Sequence, residues 1–182
     1  MEKNALRKNY IQIRKEITEK EEKSILIKEN LKTLEEYKTA NKIGIYYSME
    51  NEVDTKEIIK DLLDSKKEVY LPKVLEDTMD FFRIESLDFE KEKSSFGVIE
   101  PIFDKEKLLK GNLDIIIIPG ICFDMNKNRI GYGKGFYDKY LDGKNIKKIS
   151  ICFDKQLLIN DTIHTSTYDK KMDIVVTEKR IF

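Results

Sequence analysis

A short, uninterrupted apolar run near the middle of the chain places the strongest constraint on the fold. It comprises Ile115–Ile118, and Pro119 and Gly120 follow it directly. Residues that are apolar at consecutive positions, rather than at alternate ones, are typical of a strand buried on both faces, as in parallel sheets covered by helices. We therefore expect a central sheet with a layer of helices on each side.

Further apolar runs alternate with amphipathic helical patterns along the chain. Helices are predicted over residues 3–17, from a capping box at residues 18–21 to residues 39–41, and over residues 55–67 with Thr55 as the cap. Strands are predicted at residues 42–48, 68–72, 79–84, 147–153 and 173–177, with a short edge piece at residues 180–182. This order predicts an α/β fold, a three-layer α/β/α sandwich with a mainly parallel central sheet, in a single domain of residues 1–182.

Three further predictions concern single segments of the chain. The buried side of the second helix is predicted to carry Ile25, Leu26, Leu31, Leu34 and Tyr37. Residues 86–102 are expected to be irregular, and either a binding loop or a plain connector fits them. A short helix is expected near residues 105–109.

Composition excludes some classes of function. The 182 residues contain 34 Lys plus Arg and 34 Asp plus Glu, so no net charge attracts the chain to nucleic acid or to an anionic membrane. Any anion site must therefore be built locally. Cys122 and Cys152 lie in apolar runs and are expected to be buried, reduced thiols. Neither a signal peptide nor a membrane span is recognisable, so a cytoplasmic protein is expected. A monomer is also expected.

A glycine-rich stretch follows the central apolar run. Gly131, Gly133 and Gly135 stand at alternate positions between Arg129 and the Tyr137-Asp138 pair. The stretch is not a dinucleotide fingerprint, which needs a further glycine at position 136, nor a Walker loop, which needs Ser or Thr after Gly-Lys. Alternate glycines nevertheless allow successive N–H groups to face inward and bind an anion, followed here by the amino terminus of a helix.

The charged residues of this stretch suggest a phosphate site. Arg129 and Lys134 can supply full positive charges, and Arg129 can bind phosphate oxygens as a bidentate fork. Asp138 is unfavourable beside phosphates unless a cation such as Mg²⁺ lies between them. The alternative is a glycine-rich turn in which Asp138 is only a first-turn helix charge.

Two other groups of residues are candidates by position. Lys3 and Arg7 are four residues apart and share one helix face, although a solvated basic face explains that spacing equally well. Glu52 follows the strand at residues 42–48, at the edge where open α/β sheets bind ligands. A solvated loop carboxylate is the simpler explanation of its position.

The glycine-rich stretch resembles the signature of a known family. Residues 129–138, preceded by residues 119–124, are similar to the signature of the 5-formyltetrahydrofolate cyclo-ligases, also called methenyltetrahydrofolate synthetases. Residues 3–7 resemble that family's amino-terminal K-x-x-L-R element, residues 49–55 its segment around a substrate-binding glutamate, and Met172-Asp173 its carboxy-terminal aspartate. The matches follow the family's order over nearly the whole chain.

The resemblance implies an activity, ligands and roles for residues. It implies an ATP- and Mg²⁺-dependent ring closure that converts 5-formyltetrahydrofolate into 5,10-methenyltetrahydrofolate, ADP and phosphate. The expected catalytic residues are Arg129, Lys134 and Tyr137. The expected ATP-binding residues are Lys3, Arg7, Arg129, Gly131, Gly133, Lys134, Gly135 and Tyr137. The expected folate-binding residues are Tyr47, Met49, Glu52, Tyr132, Gly133, Lys134 and Gly135, and Mg²⁺ is expected on Asp138 and Asp173, directly or through water.

One position departs from the family pattern, and alternative functions remain. Phe136 stands where the family often has tyrosine, so any role of that hydroxyl is absent here. Within the matched motifs no general base is evident, and His164 lies outside them in a polar loop. A different nucleotide-dependent kinase or ligase would ignore reduced folates, whereas a non-catalytic folate- or nucleotide-binding module would never release ADP.

Overall fold

The computed structural model describes residues 2–182 and has a mixed α/β architecture. The strands, in chain order, are β1 (Lys42–Ile45), β2 (Glu68–Leu75), β3 (Thr78–Ile84), β4 (Lys91–Lys93), β5 (Ile99–Pro101), β6 (Ile115–Ile118), β7 (Cys122–Asp124), β8 (Arg129–Ile130), β9 (Lys147–Ile151), β10 (Leu157–Leu158) and β11 (Ile174–Val176). The helices are α1 (Lys3–Lys15), α2 (Lys20–Thr33), α3 (Glu35–Thr39), α4 (Lys56–Asp64) and α5 (Phe136–Leu141).

Six strands form the central sheet, in the order β11-β9-β6-β1-β2-β3. All neighbouring pairs are parallel except β2 with β3, which form an antiparallel hairpin. The chain builds outward from β1 to one side through β2 and β3, and then returns to the other side of β1 as β6. The strand order therefore reverses between β1 and β6, which is the place where such sheets bind ligands.

Both faces of the sheet are buried, as the apolar runs predict. Ile115 and Ile117 of β6 belong to a core that includes Ile27 of α2 and Ile58 of α4. Their neighbours Ile116 and Ile118 face a second core, formed with Tyr140 and Leu141 of α5. Consecutive isoleucines are needed here because successive side chains of a strand point to opposite faces.

The first helix does not cover the central sheet. Leu6 and Tyr10 of α1 pack instead on Ile121, Cys122 and Ile130, beside a small sheet in the order β10-β7-β8. Two strands of this small sheet, β7 and β8, follow the carboxyl end of β6 and lead directly into the glycine-rich stretch. As a result, α1 lies beside that stretch.

The second helix differs from the prediction in three ways. It begins at Lys20 without a side-chain cap, because Glu19 adopts a left-handed conformation with φ of 56°, so the capping box at Thr18 is wrong. A break at Leu34 separates α2 from α3. Its buried face contains Ser24, Ile27 and Leu31, whereas Ile25 and Leu26 are exposed. The spacing of Ser24, Ile27 and Leu31 defines the true face, and the small serine conceals it in the sequence.

The region between β3 and β6 also differs from the prediction. Residues 86–102 contain the two-stranded ribbon of β4 and β5 rather than only irregular chain. Buried Lys73 of β2 pairs with Glu92 and Glu100 of this ribbon and fastens it to the central sheet. Residues 105–109 form a turn and a bridge from Leu108 to Phe82, not a helix.

Other local predictions are confirmed. Cys122 and Cys152 are buried and free, and Ile181 forms the expected edge bridge with Val176. His164 is exposed in a loop. No helix within residues 2–182 is both long and apolar enough to cross a membrane.

Candidate active site

The candidate site lies where the chain leaves the carboxyl ends of β1 and β6. Residues 46–55 connect β1 to α4, and residues 119–135 lead from β6 through β7 and β8 to α5. Because β1 and β6 are adjacent parallel strands, both connections start at the same edge of the sheet. The first connection carries the predicted folate residues Tyr47, Met49 and Glu52. The other predicted folate residues and most of the predicted phosphate residues lie in the second connection.

The connection after β1 is held in one conformation by two hydroxyl groups. Thr55 Oγ1 donates a hydrogen bond to the Tyr46 carbonyl (2.8 Å) and accepts one from the Ser48 amide (3.0 Å). Ser48 Oγ in turn accepts from the Thr55 amide (3.1 Å) and donates to Asp54. The predicted role of Thr55 as a helix cap is replaced by this clamp, which fixes the loop that carries Glu52.

Glu52 is buried rather than solvated. Its side chain is 5% exposed, and Oε2 accepts a hydrogen bond from the Met49 amide at 2.9 Å. The Tyr132 hydroxyl donates to Oε1 at 2.5 Å, and Arg14 Nη1 lies 3.5 Å from the same oxygen. A charged carboxylate that is buried in this way requires such partners. The contact with Tyr132 joins the connection after β1 directly to the glycine-rich stretch.

Arg14 was not predicted from the sequence to belong to the site. It lies on α1 with its side chain 7% exposed, next to Glu52 and over the ring of Tyr132, with 5.6 Å from the guanidinium carbon to the ring centroid. A signal for it existed, because Arg14 follows Arg7 by two helical turns and therefore shares a face with Lys3 and Arg7. The helix was predicted from the periodicity of its apolar residues, and that periodicity does not identify Arg14 as a site residue.

The three alternate glycines are required for two different reasons. Gly133 and Gly135 have positive φ of 94° and 71°, a conformation that other residues adopt only with strain. Gly131 does not have positive φ, but a Cβ there would lie 2.8 Å from Arg129 Nη1. The nest of inward-facing amides can thus involve only two left-handed glycines, and the third gives Arg129 its space.

Arg129 lies beneath the glycine-rich stretch. Its side chain is 6% exposed, and it donates a hydrogen bond to the Pro119 carbonyl (3.1 Å) and pairs with Asp138 (3.3 Å). Its guanidinium carbon lies 5.6 Å from the centroid of the Tyr137 ring. Within the described residues 2–182, the buried Nε has no hydrogen-bond partner. Arg129 therefore connects the end of β6 to the start of α5.

The two cations of α1 flank the same stretch. Arg7 Nε donates to the Gly131 carbonyl at 2.9 Å, and its guanidinium lies against Gly133. Lys3 pairs with Asp169 in the segment that precedes β11. Of the predicted phosphate cations, Arg7 and Arg129 thus contact the glycine-rich stretch, whereas Lys3, one helical turn before Arg7, is held by Asp169.

The tyrosines of the site keep their protons at neutral pH. Burial, and then the nearby Glu52 carboxylate, raise the pKa of the Tyr132 hydroxyl, although its ring is partly exposed. Burial likewise raises the pKa of Tyr137, and the Arg129 charge only partly offsets this effect. Both hydroxyls are consequently hydrogen-bond donors rather than bases.

Aromatic contacts close the sides of the crevice. The Phe96 ring, between β4 and β5, lies 5.9 Å from the ring of Phe136 and 5.2 Å from Lys134 Nζ, measured from ring centroids. Phe136, which departs from the family pattern, thus packs against the ribbon. Tyr47 packs edge-on against Phe89 with centroids 5.6 Å apart, and Met49 is half-buried beside Glu52. Lys134 itself is exposed to solvent.

The two predicted metal ligands have different environments. Asp138 lies in the first turn of α5, with Arg129 as its cation and the Lys170 amide as a further donor at 3.0 Å. The Asp173 carboxylate accepts from the Lys148 amide (2.6 Å) and pairs with Lys148 Nζ (2.9 Å) at the amino ends of β9 and β11. Among residues 2–182, no three His, Cys, Asp or Glu side chains are grouped to hold a metal. A site of one or two carboxylates completed by phosphate oxygens is the arrangement typical of Mg²⁺.

The fold and the site define a mainly parallel α/β protein in which a glycine-rich stretch meets a buried carboxylate at the reversal of strand order. The model of the 5-formyltetrahydrofolate cyclo-ligase family matches residues 1–178 of the chain. Over 166 residues the chain is 31% identical to the 5-formyltetrahydrofolate cyclo-ligase of Mus musculus, covering 85% of this chain and 82% of the mouse protein. The chain belongs to the 5-formyltetrahydrofolate cyclo-ligase family.

Solved structures agree with this assignment. The fold is similar to the NMR structure of 5,10-methenyltetrahydrofolate synthetase from Aquifex aeolicus, with a TM-score of 0.84 and 30% identity, covering 100% of this chain and 92% of the other. It is also similar to the 5,10-methenyltetrahydrofolate synthetase from Mycoplasma pneumoniae, with a TM-score of 0.74 and 25% identity, covering 98% of this chain and 99% of the other. The family resemblance and the α/β fold predicted from the sequence are confirmed.

Proposed function

We propose that this chain converts 5-formyltetrahydrofolate into 5,10-methenyltetrahydrofolate in a reaction that consumes ATP, requires Mg²⁺ and releases ADP and phosphate. The cyclo-ligase family and its structural neighbours support the folate conversion. The roles of ATP, Mg²⁺ and individual residues are part of the proposal.

One observation carries the proposal. The Tyr132 hydroxyl, in the glycine-rich stretch, contacts the buried Glu52 carboxylate in the connection after β1. A carboxylate suited to the N–H groups of a pterin therefore borders a loop suited to phosphates. A phosphoryl transfer from ATP to a folate needs both ligands side by side, because positioning supplies much of the acceleration.

The phosphate half of the site comes from α1 and the glycine-rich stretch. We assign Lys3, Arg7 and Arg129 to the triphosphate, with the backbone of Gly131, Gly133 and Gly135 around it. Exposed Lys134 is free to swing onto the transferred phosphoryl group, and Tyr137 donates a hydrogen bond there. Since negative charge accumulates on the phosphoryl oxygens, these cations and donors lower the barrier by electrostatic stabilisation.

The folate half uses Glu52 for the pterin ring, with Tyr47, Met49 and Tyr132 lining the pocket. In the proposed reaction the formyl oxygen takes the terminal phosphoryl group of ATP. The neighbouring secondary amine nitrogen then attacks the formyl carbon and loses its proton, and the oxygen departs as phosphate. The protein's part is to hold the two substrates in contact and to exclude water from the phosphorylated intermediate.

Asp138 fits a magnesium ion shared with the nucleotide, because it lies beside the phosphate cations and carries a carboxylate. Asp173 is paired with Lys148 at the amino ends of β9 and β11, the opposite edge of the sheet from Glu52, so we propose that it reaches the metal at most through water. When bound, Mg²⁺ would neutralise charge on the phosphate oxygens.

The experiment is a turnover assay with purified protein, 5-formyltetrahydrofolate, ATP and Mg²⁺, followed by the absorbance of the methenyl product and by release of ADP. We expect both signals in equal amounts and neither without ATP. Folded protein that produces no methenyl absorbance would contradict the proposal. ADP release without folate would indicate a different nucleotide-dependent enzyme, and ligand binding without turnover a binding module.

A further inference from the structure

Arg14 is a buried cation to which the proposed reaction gives no task. The residue is 6% exposed, and within residues 2–182 its Nε and Nη1 have no hydrogen-bond partner. A buried charge normally costs stability unless its hydrogen bonds are satisfied. Stability alone therefore explains its presence poorly, and its neighbours suggest another reason.

Two side chains of the proposed folate half lie beside the Arg14 guanidinium. Its guanidinium lies 3.5 Å from Glu52 Oε1 and over the Tyr132 ring. The Tyr132 hydroxyl donates to the same Oε1. The guanidinium thus contacts the proposed pterin-binding carboxylate and the tyrosine that is hydrogen-bonded to it.

We propose that Arg14 is a positioning residue that holds the Glu52 carboxylate correctly oriented for the folate substrate. This inference rests on the proposed function. The Met49 amide fixes Oε2, whereas Oε1 is shared by Arg14 and Tyr132. When the substrate replaces the Tyr132 hydroxyl, Arg14 remains as the partner of Oε1, and its unpaired N–H groups can complete the pairing as a fork.

The position of Arg14 on α1 gives this helix two tasks. Lys3 and Arg7 lie near its amino end beside the phosphate loop, and Arg14 lies near its carboxyl end beside Glu52. Eleven residues of helix span roughly 16 Å at 1.5 Å per residue. The single face that carries these three cations can therefore reach both halves of the site.

A double-mutant cycle tests the proposal. The folate KM, the ATP KM and kcat are measured for the wild type, Arg14→Met, Glu52→Gln and the double variant. Arg14→Met should raise the folate KM by at least about tenfold, the loss expected when a charged contact is removed. The ATP KM should change by less than about twofold. Because Arg14 acts through Glu52, adding Arg14→Met to Glu52→Gln should change the folate KM by less than about twofold.

Two further variants keep the test interpretable. Arg14→Met leaves a buried carboxylate without its cation, so circular dichroism must verify folding, and Arg14→Lys provides a variant that retains the charge. Arg14→Lys should give a folate KM between those of the wild type and Arg14→Met, since lysine cannot form the fork. Lys15→Met removes an exposed charge from the neighbouring position and should behave as wild type.

The outcomes separate this inference from the proposed function. A wild-type protein without turnover overturns the proposed function and this inference with it. If the wild type turns over, a normal folate KM in both Arg14 variants overturns this inference alone. An Arg14→Met effect that persists undiminished in the Glu52→Gln background, or that raises the ATP KM equally, also overturns it, because Arg14 would then act independently of Glu52.

Discussion

At the scale of single residues, the site depends on close packing around Arg129. This side chain is almost fully enclosed, with the Pro119 carbonyl, the Asp138 carboxylate and the Tyr137 ring as neighbours. Gly131 is the residue that leaves room for it. An arginine enclosed in this way is pre-organised, so the proposed contact with a phosphate would cost it little conformational entropy.

Replacing Arg129 by alanine should impair the use of ATP. We expect kcat/KM for ATP to fall by at least about tenfold, since hydrogen bonds to charged groups contribute roughly 1.5–3 kcal/mol. Steady-state kinetics with ATP as the varied substrate would measure this. Arg83→Ala, which removes an exposed arginine from β3, serves as the control. Unchanged ATP kinetics in Arg129→Ala would show that this arginine serves only the structure.

Replacing Gly131 by alanine should destabilise the protein through one defined clash. The new Cβ would lie 2.8 Å from Arg129 Nη1, and the enclosed guanidinium would have to shift, which costs about 1 kcal/mol. Urea unfolding would measure the loss. In an Arg129→Ala background the same substitution should cost little, because the clashing atom is gone. An equal loss in both backgrounds would mean that Gly131 is needed for another reason.

At the scale of elements, side-chain contacts anchor the connection after β1 and the ribbon of β4 and β5. Thr55, at the start of α4, bonds both to Tyr46 at the end of β1 and to Ser48. The ribbon of β4 and β5 is anchored by Lys73, and its tip touches the glycine-rich stretch through Phe96. Burial raises the pKa of the Glu100 carboxyl, and the Val74 backbone and the Lys73 charge only partly offset this effect.

Thr55→Val should loosen the loop that carries Glu52. Valine has nearly the same shape but leaves the Tyr46 carbonyl and the Ser48 amide without their partner, at about 1–3 kcal/mol for each buried group. We expect lower stability in urea and a higher folate KM, with the ATP KM less affected. Thr55→Ser keeps the hydroxyl and should retain most of both properties. Equal behaviour of the two variants would exclude the hydroxyl clamp.

At the scale of the whole molecule, the two halves of the sheet are joined at the amino edge as well. Asp114, just before β6, accepts hydrogen bonds from the amides of Asn41 and Lys42 at the start of β1, each at 2.8 Å. The hydrogen bond from the Lys42 amide is the main cause of the lowered pKa of Asp114. This carboxylate therefore ties together the two strands between which the strand order reverses.

The lowered pKa gives a pH-dependent prediction. Stability from a carboxylate whose pKa is lower in the folded state is fully present above its unfolded-state pKa and is lost as the pH falls through the folded-state pKa. Asp114 is exposed, so solvent screening reduces the loss to roughly 0.5 kcal/mol, and Asp114→Ala should lower Tm by about 1–2 °C at pH 7. The gap from wild type should close in strong acid. Asp77→Ala, in an exposed turn, is the control, and a gap independent of pH would contradict the prediction.

Much of the architecture was predictable from local patterns. Continuous apolar runs identified β1, β6, β9 and β11, and their alternation with helices gave the α/β class. The predictions failed where the burial of a side chain depends on which element packs against it. The buried face of α2 includes Ser24, and the exposed pair Ile25 and Leu26 looks like core when only hydrophobicity is considered. The ribbon of β4 and β5 was missed because its strands are three residues each and mostly polar.

The sequence by itself determined the kind of loop and the kind of sheet, because glycine spacing, apolar runs and helical periodicity are properties of neighbouring residues. Only the tertiary structure decided which distant side chains share the site. Tyr132 meets Glu52 across 80 residues, and Lys3 meets Asp169 across 166. Arg14 acquires its partner in the same way, since helix periodicity gives the face of a side chain but packing alone determines what that face meets. The glycines illustrate both cases: their pattern is visible in the sequence, whereas the need of Gly131 to make room for Arg129 appears only in three dimensions.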